Sequence, residues 1–101
     1  MNILALLTKR RNEILATCER YGATHVRLFG SCARGDYNDK SDVDILVDFS
    51  GANLKGFKYF GAIEALHEDL EKLLGVNVDV VDESGLRHRI RDDVLSEARA
   101  L

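Results

Sequence analysis

Asp42 and Asp44 stand two residues apart at the head of an apolar run, Asp-Val-Asp-Ile-Leu-Val. On a strand that spacing turns both carboxylates to one face. Upstream, Gly30 and Ser31 follow the apolar Leu28-Phe29 pair and make a tight polar turn where a strand ends. Gly30 lets the backbone approach an anion without a Cβ in the way. Ser31 offers a hydroxyl, and the amides that open a following short helix can point at phosphate oxygens. A phosphate-cradling turn facing two carboxylates is what metal-dependent nucleotidyl transfer requires, because paired carboxylates supply the oxygen ligands that two divalent ions need.

Alone, an Asp-x-Asp pair also fits the solvated face of a strand. A third acid strengthens the case. Asp79 lies among valines in Val76-Asn77-Val78-Asp79-Val80-Val81, and a carboxylate in such a run is costly unless it is paired or binds metal. If its strand neighbours that of Asp42 and Asp44, three carboxylates converge, the third suited to taking a proton from an attacking hydroxyl while also ligating metal. The alternative is an edge-strand Asp facing solvent. Arg34 has two uses open to it, contact with phosphate or pairing with a site carboxylate. Gly35 serves backbone geometry. Ser41 caps or orients the loop that enters the Asp pair. Tyr37 fits either a base-stacking role or an exposed loop position. His25, His67 and His88 show no metal-ligand spacing, and Arg87, Arg89 and Arg91 read as solvated.

The elements that must position these residues follow from periodicity. Leu4, Leu7, Ile14, Cys18 and Tyr21 predict one helix over 3–21, ended by Gly22. Residues 24–29 alternate as a strand, a short helix runs through Ala33 and Arg34, and 36–41 is a loop of turn formers. A second strand spans 42–49. After a loop at 51–56, Phe60, Ile63, Leu66, Leu70 and Leu73 mark a core-facing helix over 57–74, stopped by Gly75. A third strand covers 76–82. Ser84 caps a last helix in which Leu86, Ile90, Val94 and Ala98 recur. The order α-β-α-β-α-β-α predicts an α/β (α+β) fold, a small mixed sheet packed by helices.

Composition narrows the class. A chain of 101 residues, 46% hydrophobic and 31% charged, reads as one domain over 1–101. A net charge of −3 argues against a broad nucleic-acid footprint, so no direct nucleic-acid partner is expected. No run approaches the ~20 apolar residues of a membrane helix. Lys9, Arg10 and Arg11 follow the N-terminal apolar patch, the reverse of a signal peptide. Cys18 and Cys32 lack metal spacing and read as reduced thiols of a cytoplasmic protein.

Gly30-Ser31-x-x-Arg34-Gly35, five residues, then Ser41-Asp42-x-Asp44, resembles the signature of the DNA polymerase beta-like nucleotidyltransferase superfamily, closest to its minimal (MNT) branch. The likeness runs on through Val78-Asp79-Val80-Val81 and Leu86-x-x-x-Ile90-x-x-x-Val94. It implies the polymerase beta-like fold. Asp42 and Asp44 match the two metal-ligand acids, Asp79 the third, and Gly30 and Ser31 the triphosphate turn. It further implies two Mg²⁺ ions (Mn²⁺ also accepts such ligands), ATP as substrate, and attack of an acceptor hydroxyl on the α-phosphate with loss of pyrophosphate. Relatives often carry a proline within 36–40 and this chain has none, which touches loop rigidity only.

The minimal branch resembles the antitoxin half of a toxin–antitoxin module whose partner is a HEPN-domain ribonuclease toxin, silenced by AMP attached to a tyrosine. The resemblance thus implies a type VII-like antitoxin, in a hetero-oligomer with its toxin. No stretch of this sequence is left over for a second, acceptor-binding domain, which favours an acceptor site supplied by a partner. Two alternatives stay open: an antitoxin that acts mainly by binding, and an aminoglycoside-type enzyme for small molecules, which would need an enclosing pocket.

Overall fold

The computed structural model describes residues 3–36, 38 and 42–101, and of His88 and Arg89 the backbone alone. Tyr37 and Ser41, singled out above, lie outside the described residues.

The first predicted helix is two, α1 (Ile3–Lys9) and α2 (Arg11–Arg20). Arg10 separates them, with φ −98° and ψ 9°. The ladder nonetheless carries through, since the Arg10 N–H donates to Leu6 O at 3.0 Å and Arg10 O accepts from Ile14 N–H at 2.9 Å. Leu7, Ile14 and Cys18 are buried as their spacing predicts, whereas Leu4 is exposed. Strand β1 (Thr24–Phe29) leads into the one-turn helix α3 (Ser31–Arg34), and β2 (Val43–Asp48) follows the loop. Helix α4 (Phe57–Leu74) ends at Gly75, which adopts φ +70° and returns its N–H to Glu71 O. Then come β3 (Val78–Asp82), α5 (His88–Glu97) and the two-residue β4 (Arg99–Ala100).

These strands form one mixed sheet in the order β3-β2-β1-β4. Strands β2 and β3 run parallel, joined by the α4 crossover, and β1 is antiparallel to both β2 and β4. Strand β4 is missing from the sequence reading. Its two residues have no period to read and pair with Arg27 and Leu28. Alternation sorts the sheet into two faces. Leu28, Val43, Ile45, Val47 and Val78 are buried in the core with Ile14, Cys18, Leu66 and Leu70. The opposite face carries Phe29 and Asp44 as one cross-strand pair and Arg27 and Leu46 as the next, with Asp79 and Val81 beside them.

Two apolar stripes are less buried than their spacing predicts. In α4, Leu66, Leu70 and Leu74 are buried, but Phe60 is 68% and Phe57 95% exposed, while Tyr59 between them is the residue of that first turn packed against the core. In α5, Ile90 is 51% exposed. Nor does Ser84 cap that helix. It sits in a 3-10 turn (Glu83–Gly85), and the residue before α5 is the extended Arg87.

Asp82 explains that turn. It is 6% exposed and accepts four hydrogen bonds: from Phe49 N–H (3.2 Å), Tyr59 O–H (2.7 Å), Ser84 N–H (3.1 Å) and Ser84 O–H (2.7 Å). One carboxylate thus joins the end of β3, the exit of β2, α4 and the turn toward α5. Burial, then the bond to Asp82 and its charge, push the Tyr59 hydroxyl up to about 12. A pKa raised by folding contributes stability that is complete below the unfolded value, near 10, and is lost as pH rises through the folded one. Chemical denaturation between pH 9 and about pH 12 is therefore expected to show the parent losing stability with pH more steeply than Tyr59→Phe. Equal slopes would remove Tyr59 from the alkaline transition.

Candidate active site

The site grows from register. On β2, Asp44 stands between Phe29 of β1 and Asp79 of β3. The central strand therefore presents a carboxylate with a second one directly beside it on the neighbouring strand. Parallel pairing sets this up, since Val43 matches Val78 and each following residue matches in step. Asp44 is half-buried and Asp79 exposed. The expectation that Asp79 is a buried acid needing a partner is thus corrected: Val78 and Val80 face the other way, and the carboxylate opens to solvent beside Asp44.

Burial, followed by the charge of Asp79, a hydrogen bond shared with it and the charge of Asp42, raises the Asp44 carboxyl to about 6. Arg34 opposes this only through its field. Asp42 is exposed and immediately precedes β2. Its carbonyl oxygen lies 4.0 Å from the Cys32 thiol, which packs beneath it. Cys32 is buried, and its thiol is pushed up by that burial and by Asp44.

Gly30 closes the other side. It holds φ +69° and ψ −149°, and a Cβ there would stand 2.2 Å from Asp44 Oδ2 and 3.1 Å from its Cγ. No side chain fits, so the glycine is required twice, by backbone conformation and by contact with the carboxylate. Gly30 O accepts the N–H groups of Ala33 and Arg34 at 3.1 and 3.0 Å, winding α3, which opens on Ser31 directly after the glycine that touches Asp44.

Of the two uses expected of it, Arg34 does not take the pairing with a site carboxylate. Its guanidinium pairs with Asp36 (3.1 Å) and with Glu97 of α5 (3.2 Å). That clamp raises the arginine's own pKa and leaves the site carboxylates unpaired with it. The sequence could not place Glu97, sixty-three positions away.

Among the described residues, no three His, Cys, Asp or Glu side chains are gathered closely enough to cage a metal ion. The arrangement is a facing pair, Asp44 and Asp79, flanked by Asp42. The donor set still fits a hard divalent cation. Mg²⁺ is held by one or two carboxylates together with substrate phosphates and water, not by an all-protein cage. A repelling pair with one carboxyl raised to about 6 is also a site that a cation relieves. A cavity of ≈310 Å³ lies elsewhere, lined among others by Leu7, Leu28, Cys32, Arg11, Arg34 and Arg99, and takes in none of the three acids.

Known proteins share this architecture. The nucleotidyltransferase domain model matches residues 11–101. The chain belongs to that family. Within it, protein adenylyltransferase MntA of Thermococcus cleftensis is 40% identical over 95 residues, 94% of this chain and 88% of the relative. The structure of a minimal nucleotidyltransferase superposes with a TM-score of 0.83 at 42% identity, covering 100% of this chain and 97% of its own. The crystal structure of a mutant toxin–antitoxin pair, MntA–HpeT, gives a TM-score of 0.69 at 25% identity, over 90% of this chain and 70% of that one. The chain is a nucleotidyltransferase of the minimal, polymerase beta-like kind, as its Gly-Ser and Asp-x-Asp spacing implies. No helix among the described residues is long and apolar enough to cross a membrane.

Proposed function

We infer that this nucleotidyltransferase moves AMP from ATP onto a hydroxyl, a tyrosine by family resemblance, of a partner HEPN-type toxin, and so acts as a type VII-like antitoxin. The observation that carries the reading is Gly30 packed against Asp44, with Asp79 on the other flank. That contact joins a backbone turn free of Cβ to a strained carboxylate pair. The similarity to a protein adenylyltransferase and to the MntA–HpeT pair supports the acceptor class.

Each residue then has a task. The Gly30–Ser31 turn admits the triphosphate close to the backbone. Asp42, Asp44 and Asp79 would hold Mg²⁺, which when bound supplies charge neutralisation at the phosphates and a lowered pKa for the acceptor hydroxyl. The acceptor oxygen bonds to the α-phosphorus as the bond from that phosphorus to the bridging oxygen breaks. Pyrophosphate leaves, and the hydroxyl proton passes to a carboxylate oxygen of Asp79. Arg34, tied to Asp36 and Glu97, acts on the site through its field.

Intact mass spectrometry tests this. The neighbouring gene's product, incubated with this chain, ATP and Mg²⁺, is expected to gain one or more AMP units, and excess EDTA is expected to abolish the gain. A stable complex with no added mass would move the reading to an antitoxin that acts by binding. Neither complex nor modification, with turnover of an aminoglycoside instead, would overturn it in favour of a small-molecule enzyme.

A further inference from the structure

The cavity of ≈310 Å³ lies between α1, α3 and β4. Its floor is apolar, with Leu7, Leu28, Cys32 and Ala33 all buried and Leu4, 37% exposed, carrying the surface outward. Its charge is one-sided. The chain has 17 Asp and Glu against 14 Lys and Arg, yet the described lining holds Arg11, Arg34 and Arg99 and neither Asp nor Glu. Register places Arg99. It pairs with Leu28 across the β1–β4 ladder, so the two side chains leave the sheet on the same face, the one that builds the core. Arg34 is already matched by Asp36 and Glu97. Arg11 donates its Nε–H to Leu101 O at 2.9 Å and has no carboxylate partner among the described residues. Arg99 has neither ion pair nor side-chain hydrogen bond among them.

Two guanidiniums without carboxylates beside an apolar floor are complementary to an amphipathic anion. Its head group takes the planar forks, and its apolar body takes the floor. At roughly 30 Å³ per heavy atom, a volume of ≈310 Å³ admits a ligand of about ten. The cavity also shares a wall with the phosphate turn. Helix α3 opens on Ser31, directly after the glycine that touches Asp44, while Cys32, Ala33 and Arg34 of the same turn line the cavity. The Cys32 Sγ lies 4.0 Å from Asp42 O, so α3 also bears on the segment that enters the Asp pair.

We propose that this cavity is a second binding site, for a small amphipathic anion, and that its occupant tightens nucleotide binding by bracing α3. A ligand packed against α3 restricts its motion, and a nucleotide reaching an already ordered turn gives up less entropy. The coupling, though not the site, rests on the nucleotide lying at the Gly30–Ser31 turn, as inferred above.

Titration of the ¹⁵N-labelled chain with octanoate, and separately with hexyl phosphate, tests the site without catalysis. At least one of them is expected to bind with a Kd on the order of 0.1–1 mM. The amide shifts are expected at Leu7, Leu28, Cys32, Ala33 and Arg99. Neutral octanol is expected to bind at least about tenfold more weakly, since it offers the forks no charge. Arg99→Gln is expected to weaken the anion about tenfold at an unchanged Tm, because Arg99 is exposed. Octanol binding as well as octanoate, no binding of either anion, or shifts centred on the exposed Phe57 and Phe60 would each overturn the site. Coupling is read by calorimetry of Mg²⁺-ATP. Saturating anion is expected to tighten it about fivefold in the parent and not in Arg99→Gln under the same conditions. An unchanged or weakened ATP affinity overturns the coupling alone. Failure of ATP to bind at all would sink the nucleotide reading, while the cavity shifts still judge the site.

Discussion

Asp44→Asn is expected to lose on the order of 10³-fold in nucleotidyl transfer, the equivalent of about 4 kcal/mol of transition-state stabilisation, while melting at a higher temperature than the parent in metal-free buffer at pH 7. The two effects have one cause. Asp44 is held beside Asp79 and partly out of water, so its carboxyl is raised to about 6. For an acid raised by folding, stability is complete below the unfolded value near 4 and is lost as pH climbs through about 6. At pH 7 the ionised pair therefore strains the metal-free fold, and an amide relieves it. Solvent screening of this half-exposed carboxylate keeps the gain to roughly 1 kcal/mol, or about 4–8 °C in a domain of this size. Gly30→Ala attacks the same carboxylate from the opposite side. Its Cβ would meet Asp44 Oδ2 at 2.2 Å and would sit at φ +69°, so activity is expected to fall about as far while stability falls by about 1–3 kcal/mol. Melting curves recorded beside the transfer assay check both. An Asp44→Asn protein that melts lower than its parent would refute the strained-pair account.

The second large effect concerns an acid that takes no part in the chemistry. Asp82→Ala is expected to destabilise the chain by about 3–5 kcal/mol, a large share of the ~5–15 kcal/mol that holds a domain together. The substitution strips the acceptor from Phe49 N–H, Tyr59 O–H and both Ser84 donors; the buried Phe49 N–H, left without a partner, bears a full desolvation penalty, and the tie between β3, α4 and the turn that follows is lost. Urea unfolding checks it, with Asp79→Ala as the internal comparison. Asp79 is exposed, so its removal is expected to cost little stability and most of the activity. Similar midpoints for the two variants would show that the hub carries no special weight.

Those two aspartates also mark how far sequence reasoning reaches. Asp79 and Asp82 lie three positions apart on one strand, so alternation alone puts them on opposite faces. The facing pair Asp44 and Asp79 was legible because Asp-x-Asp and Val-Asp-Val both carry a period of two. Asp82 carried the same signal, in that its parity matches Val78 and Val80, but a carboxylate on the core side looks implausible until Tyr59, Phe49 and Ser84 are seen to satisfy it. The clamp of Arg34 by Glu97, the contact of Gly30 with Asp44 and the strand β4 depend on how distant segments meet, and no local pattern encodes them. Phe60 misleads for the reverse reason: its spacing is that of a buried stripe, yet it is 68% exposed.

The parallel pairing of β2 with β3 has a kinetic corollary. Asp44 and Asp79 are brought together only after the whole α4 crossover has closed, because parallel neighbours cannot be joined by a tight turn. Loop closure of that length is among the slower steps of a small domain's assembly. Helix formation and the β1–β2 hairpin can precede it, but a phosphate-handling site cannot. On dilution from denaturant, nucleotide binding should therefore recover in step with the last phase of refolding and never with the early rise in helicity. The active site reports complete assembly, and a half-made chain presents no competent carboxylate pair to a nucleotide.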